Sequence, residues 1–118
     1  MKFYIDYPPD FGKLYGLNAI YVGIPWEERR QNAIYWHGMV LSTLKKSGIT
    51  KGTYKYPVRL TFYWNDRLDC SNHAYAAKMI EDALKGYLIV DDSRKYVKEI
   101  THKFHLNKCI GVEIEAIK

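Results

Sequence analysis

The sequence is poor in cysteine: Cys70 and Cys109 are the only two in 118 residues. A disulfide framework is therefore not expected, and two small, partly buried thiols fit a reduced cytoplasmic setting. No apolar run approaches the roughly 20 residues that a membrane span needs. Lys2 is followed by an alternating segment, so neither a signal peptide nor a membrane partner is expected. A glycine-rich phosphate loop, a Ser-His-Asp order and a Cys-His pair are all missing. His102 and His105, three apart in an expected strand, fall on opposite faces and make a poor zinc pair. Acidic side chains are fewer than basic ones, 13 against 18, for a net charge of +5 and a pI near 9.1. That balance suits an anionic partner such as nucleic acid, and equally a merely soluble basic protein.

What is present describes one folded domain, residues 1–118, with no repeat or low-complexity tract. Hydrophobic residues make up 47% of the chain, enough for a core rather than disorder. Phe3, Ile5 and Tyr7 alternate with Lys2, Tyr4 and Asp6, which predicts a first strand stopped by Pro8-Pro9. Residues 10–24 read as a long loop carrying Gly12, Gly16 and Gly23. A helix is predicted over 25–47, with Pro25, Glu27 and Glu28 at its start and Lys45, Lys46 and Gly48 at its end. Its apolar stripe reads Ile34, His37, Leu41 and Leu44, widened by Ala33, Trp36 and Val40. Val58, Leu60, Phe62 and Trp64 form a half-buried strand running toward Asp69.

A second helix is predicted over 72–85, capped by Ser71 or Asn72. Ala76, Ala77, Ile80, Ala83 and Leu84 form its apolar face, and Lys78, Glu81, Asp82 and Lys85 its polar one. Residues 95–105 and 109–117 read as a β-hairpin. The order β-α-β-α-β-β predicts an α+β fold in which two α-helices accompany a mixed sheet.

Three carboxylates stand at the ends of apolar runs. Asp69 follows one strand pattern, and Asp91-Asp92 follows the run from Tyr87 to Val90. Hard oxygen donors of this kind hold divalent metal if the two loops meet, although loop aspartates are ordinarily turn formers. Lys78 pairs with Asp82 at i,i+4 or points to the metal site and neutralises phosphate charge. His37 reads as a core histidine. His73, near the second helix start, is a candidate to approach phosphate. Tyr15 and Tyr21 are the candidates to stack on unpaired bases.

These residues carry a family resemblance. Asp69-Cys70-Ser71-Asn72, then Lys78, then Asp82-Ala83-Leu84-Lys85-Gly86, then Asp91-Asp92-Ser93, resembles the RusA Holliday-junction resolvases of phages and prophages. Their motif is similar to Asp-x-Asp-Asn, a helical lysine, Asp-Ala-Leu-x-Gly and a later Asp-Asp. Gly16-Leu17-Asn18 looks like the small-residue and asparagine loop that the family carries before helix one. The resemblance implies a RusA-like fold and a homodimer on branched DNA, the four-way junction. It implies Mg²⁺-dependent paired nicks, with Mn²⁺ a possible substitute, in the cytoplasm of a bacterial host or phage-infected cell. It implies metal ligands at Asp69, Asp91 and Asp92, and a catalytic lysine at Lys78.

Two departures stand out. Ser71 replaces the second carboxylate, offering a neutral oxygen to the metal, and the spacing from Asn72 to Lys78 is long. Arg29, Arg30, Lys51 and Lys55 are candidates to track DNA backbones. The competing readings are a junction-binding protein that cuts weakly, and a basic module for RNA or single strands in which the aspartates only form turns.

Overall fold

A computed structural model describes residues 1–118. The fold is α+β, built on one four-stranded mixed sheet. Strands β1 (Lys2–Ile5), β2 (Val58–Trp64), β3 (Val97–Phe104) and β4 (Ile110–Ala116) lie in the order β1-β4-β2-β3. β4 is antiparallel to both β1 and β2, whereas β2 and β3 run parallel. Phe3, Ile5, Val58, Leu60, Phe62, Trp64, Ile110, Val112 and Ile114 are buried, as a period of two requires of a sheet packed on one face.

The 10–24 segment is not an open loop. It folds as two single helical turns, α1 (Phe11–Tyr15) and α2 (Leu17–Tyr21), which bury Phe11 and Tyr15. Gly16 joins them at close quarters: a Cβ there would lie 2.7 Å from the Gly12 carbonyl oxygen and 3.4 Å from Leu68 Cδ1. The long helix α3 (Trp26–Lys46) has Glu27 and Glu28 in its first turn and Lys45 and Lys46 in its last, both matched to the macrodipole. Gly48, at φ 73°, takes the left-handed conformation just after the helix, and the Ile49 N–H reaches back to the Leu44 carbonyl.

The buried stripe of α3 is Trp36, Val40 and Leu44, one residue around from the expected centre. Ile34, Ala33 and His37 are exposed, so His37 is not a core histidine. They line an open apolar groove with Met79, Asp82 and Ala83 of α4 (Ala74–Leu84). The apolar face expected on α4 is buried in full, at Ala76, Ala77, Ile80, Ala83 and Leu84. Glu81, expected on the polar face, is buried too. Gly86, at φ 76°, turns the chain after α4.

No side-chain cap begins α4. Residues Cys70–His73 form a 3-10 turn leading into it, and neither Ser71 nor Asn72 hydrogen-bonds a helix amide through its side chain. The expected hairpin is likewise absent, because β2 separates β3 from β4. Hydrogen bonds at the end of β2 show why. The His105 N–H bonds the Trp64 carbonyl at 3.0 Å. Asn65 Nδ2 donates to the carbonyls of Leu106 and Asn107 at 3.1 and 2.9 Å. The 105–109 connection thus crosses over the end of β2 and delivers β4 to its far side. The parallel β2/β3 pair takes α4 as its crossover.

Candidate functional site: two charged clusters flanking helix α4

The first cluster lies along α4. Lys78 contacts Asp92, and its Nζ also stands 2.9 Å from Asp82 and 3.6 Å from Glu81. Lys85 Nζ is 3.4 Å from Asp82 and 3.6 Å from Asp92. The i,i+4 pairing and the approach to the Asp-Asp turn therefore both occur. The hydrogen bond from Lys78 pulls the Asp92 carboxyl down to about 2, against the opposing effect of burial. Burial alone would lower the Lys78 amine, but bonds to Asp92 and Asp82 outweigh it and raise it. Burial pushes Glu81 up, Lys78 opposing. The result is an ionised Lys78–Asp92 pair beside a less readily ionised glutamate.

The second cluster precedes α4 and is the part the sequence did not disclose. Asp66 is its centre. Its Oδ1 accepts the Leu68 N–H at 2.8 Å, and its Oδ2 accepts the Tyr7 hydroxyl at 2.7 Å. His73 Nε2 lies 2.8 and 2.9 Å from the two carboxylate oxygens, and His73 Nδ1 lies 2.9 Å from the Cys70 carbonyl. The carbonyl can only accept, so Nδ1 carries the hydrogen of that bond, and Nε2 faces the carboxylate. His73 is fully buried, which rules out the direct phosphate contact considered for it. It stacks on Trp64 with centroids 4.3 Å apart. Trp64 Nε1 donates to His102 Nδ1 at 3.0 Å, and burial followed by the nearby His73 hold His102 below the usual imidazole range. Burial pushes the Tyr7 hydroxyl well above the usual phenol range, and its oxygen accepts the Asn65 N–H.

Asp69 lies between Asp66 and His73 along the chain, exposed, just before the 3-10 turn. Its carboxylate joins none of the side-chain hydrogen bonds or ion pairs. Ser71 is exposed beside it. In donor chemistry, Asp69, Asp91 and Asp92 fit a hard divalent cation, with Ser71 as a weaker neutral oxygen. In arrangement, no three His, Cys, Asp or Glu side chains are grouped to hold a metal ion. Asp92 meets the middle and end of α4, whereas Asp69 sits before its start. Tyr15 is buried, which leaves Tyr21, 77% exposed, as the remaining stacking candidate. Arg29, Lys51 and Lys55 are exposed, and Arg30 pairs with Glu27.

Asp66 and Tyr7 carried no signal in the sequence, since the bond joining them spans 59 residues. An aspartate two residues before a turn amide suggests only a local cap. No helix is long and apolar enough to cross a membrane. Neither models of known protein families nor curated proteins match the chain.

Proposed function

We propose that the protein is a Mg²⁺-dependent endodeoxyribonuclease that nicks branched DNA, four-way junctions foremost, and acts as a homodimer in the cytoplasm. The observation that carries this reading is the contact between Lys78 and Asp92, 14 residues apart. Two parts of the resolvase-like motif, the helical lysine and the Asp-Asp pair, share one site. The charge of +5 agrees with a polyanionic substrate.

In this reading Lys78 offsets charge on the scissile phosphate and holds Asp92 ionised. Asp69, Asp91 and Asp92 are the ligands, with Ser71 adding a neutral oxygen. A bound divalent cation would supply Lewis-acid polarisation of the phosphate and a more acidic water. Two opposed nicks on a two-fold substrate call for two active sites related by two-fold symmetry, hence the dimer.

The test is cleavage of a synthetic immobile junction beside linear duplex, with Mg²⁺, with Mn²⁺ and in EDTA. Paired nicks in the junction, dependent on metal, are expected. Absence of cutting, or cutting that survives EDTA, overturns the reading. A second reading is favoured by Ser71 and by the engagement of Asp92 with Lys78: a junction binder that cuts weakly. It predicts retention of junctions in EDTA and slow nicking in Mg²⁺. If Asp91→Ala leaves every nucleic-acid activity intact, the aspartates only form turns.

A further inference from the structure

We propose that Asp66, His73 and Tyr7 form a positioning clasp that fixes the backbone on both sides of Asp69 and keeps its carboxylate exposed. The inference rests on the nuclease reading for what Asp69 does, but on geometry for how it is held. The Leu68 N–H, just before Asp69, bonds Asp66 Oδ1 at 2.8 Å. The Cys70 carbonyl, just after it, accepts from His73 Nδ1 at 2.9 Å. His73 Nε2 then closes the ring of contacts, hydrogen-bonded at 2.8 Å to the same Asp66 carboxylate. The Asp69 carbonyl itself accepts the Asn72 N–H at 3.0 Å. Leu68 and Cys70 are thereby fixed through one buried pair, and Asp69 between them by the turn.

The side chains around the clasp add to it. Leu68 packs against Gly12 and Gly16 of the α1–α2 corner, where a larger residue at Gly16 would not fit. Tyr7 ties both Asp66 and the Asn65 N–H, just past the end of β2, to the segment after β1. The Cys70 thiol donates to the His102 carbonyl on β3 at 3.3 Å. Apolar side chains of equal volume often give a buried pair's stability without its cost. What they lack is direction, and direction is what fixing a peptide on each side of Asp69 needs. Within this clasp Asp69 alone has a carboxylate without an internal partner.

The experiment compares His73→Leu, His73→Gln and Tyr7→Phe with the unsubstituted protein. It measures kcat and Kd on a four-way junction, thermal unfolding, and amide exchange at Leu68. His73→Leu keeps volume and removes both bonds, and is expected to lower kcat by about 10²-fold, as small misplacements do, with Kd held within about twofold. His73→Gln, which retains a donor toward Asp66, should recover part of the loss. Placed in an Asp69→Glu background, His73→Leu should cost far less than it does alone, because the two residues act as one unit.

Unsubstituted kcat in His73→Leu overturns the proposal. So does a parallel fall in kcat, junction affinity and melting temperature that His73→Gln does not relieve. If His73→Leu does not fold, Tyr7→Phe decides: a several-fold lower kcat in a folded protein supports the clasp, and no change overturns it. If the unsubstituted protein cuts no DNA, the nuclease reading fails by itself. The clasp is then judged on exchange, supported by a Leu68 amide that is slow and accelerates in Tyr7→Phe, and overturned by one that does not respond.

Discussion

Helix α4 has an acid–base cluster at each side, and the two are built on opposite principles. Before the helix, His73 is 0% exposed and Asp66 15%, and the Tyr7 hydroxyl, the Leu68 N–H and the Cys70 carbonyl all bond to the pair. Along the helix, Lys78 is 54% exposed and meets three carboxylates at once. A buried pair of fixed geometry defines where the backbone goes. A solvated cluster in which one amine serves several acids defines little about the fold, and its members remain free to exchange partners. The difference places architecture in the Asp66–His73 cluster and leaves the Lys78 cluster free to rearrange.

The largest effect should come from breaking the buried side. Asp66→Ala leaves His73 Nε2, the Tyr7 hydroxyl and the Leu68 N–H without their shared partner, and urea unfolding should show a loss of about 3 kcal/mol or more, at about 1–3 kcal/mol for each buried group left unpaired. Gly16→Ala comes next: its Cβ meets the Gly12 carbonyl at 2.7 Å and crowds Leu68. The same measurement should show about 1–3 kcal/mol of destabilisation from overpacking. Lys78→Met should cost less than about 1 kcal/mol, because exposed pairs contribute little. Under the proposed function the same substitution should still cut the nicking rate by about 10²-fold, and that divergence is the sharpest form of the comparison.

The smallest expected effect is a pH dependence. Asp92 falls from an ordinary value of 3.8 to about 2 in the folded protein. Between these values the unfolded chain binds the proton first, so this part of the stability is present above about pH 4 and is lost as pH falls toward 2. Asp92→Asn should flatten acid unfolding curves in that window. A substitution with the same acid limb as the unsubstituted protein would show that other carboxylates set it.

Periodicity disclosed much of this fold, because β2 and α4 each bury one regular face. Val58, Leu60, Phe62 and Trp64 are buried at every second residue, and all five apolar residues expected to face inward on α4 do so. α3 was harder: its N-terminal half exposes Trp26, Ile34 and Tyr35, so hydrophobicity there does not report burial. The hairpin expectation failed because two adjacent strand patterns carry no record of a third strand lying between them. Of the site, Lys78 and Asp82 were legible through their i,i+4 spacing. Its approach to Asp92 followed from the motif. Asp66 with Tyr7 was not legible, since such a bond depends on tertiary structure alone.

The position of β4 has a consequence in time. During synthesis β1 emerges first, yet its partner in the sheet is β4, and the Met1 amino group bonds the Ile114 carbonyl across 113 residues. Until that late strand has been made, β1 and β2 lack the element that joins them, and Phe3, Ile5 and Phe62 have no completed layer to enter. Helices α3 and α4 can form from local contacts while the chain waits. Closure of the sheet then depends on pairings of high sequence separation, which are slow to find. The strand made last is thus the one that joins the sheet, slotting between β1 and β2.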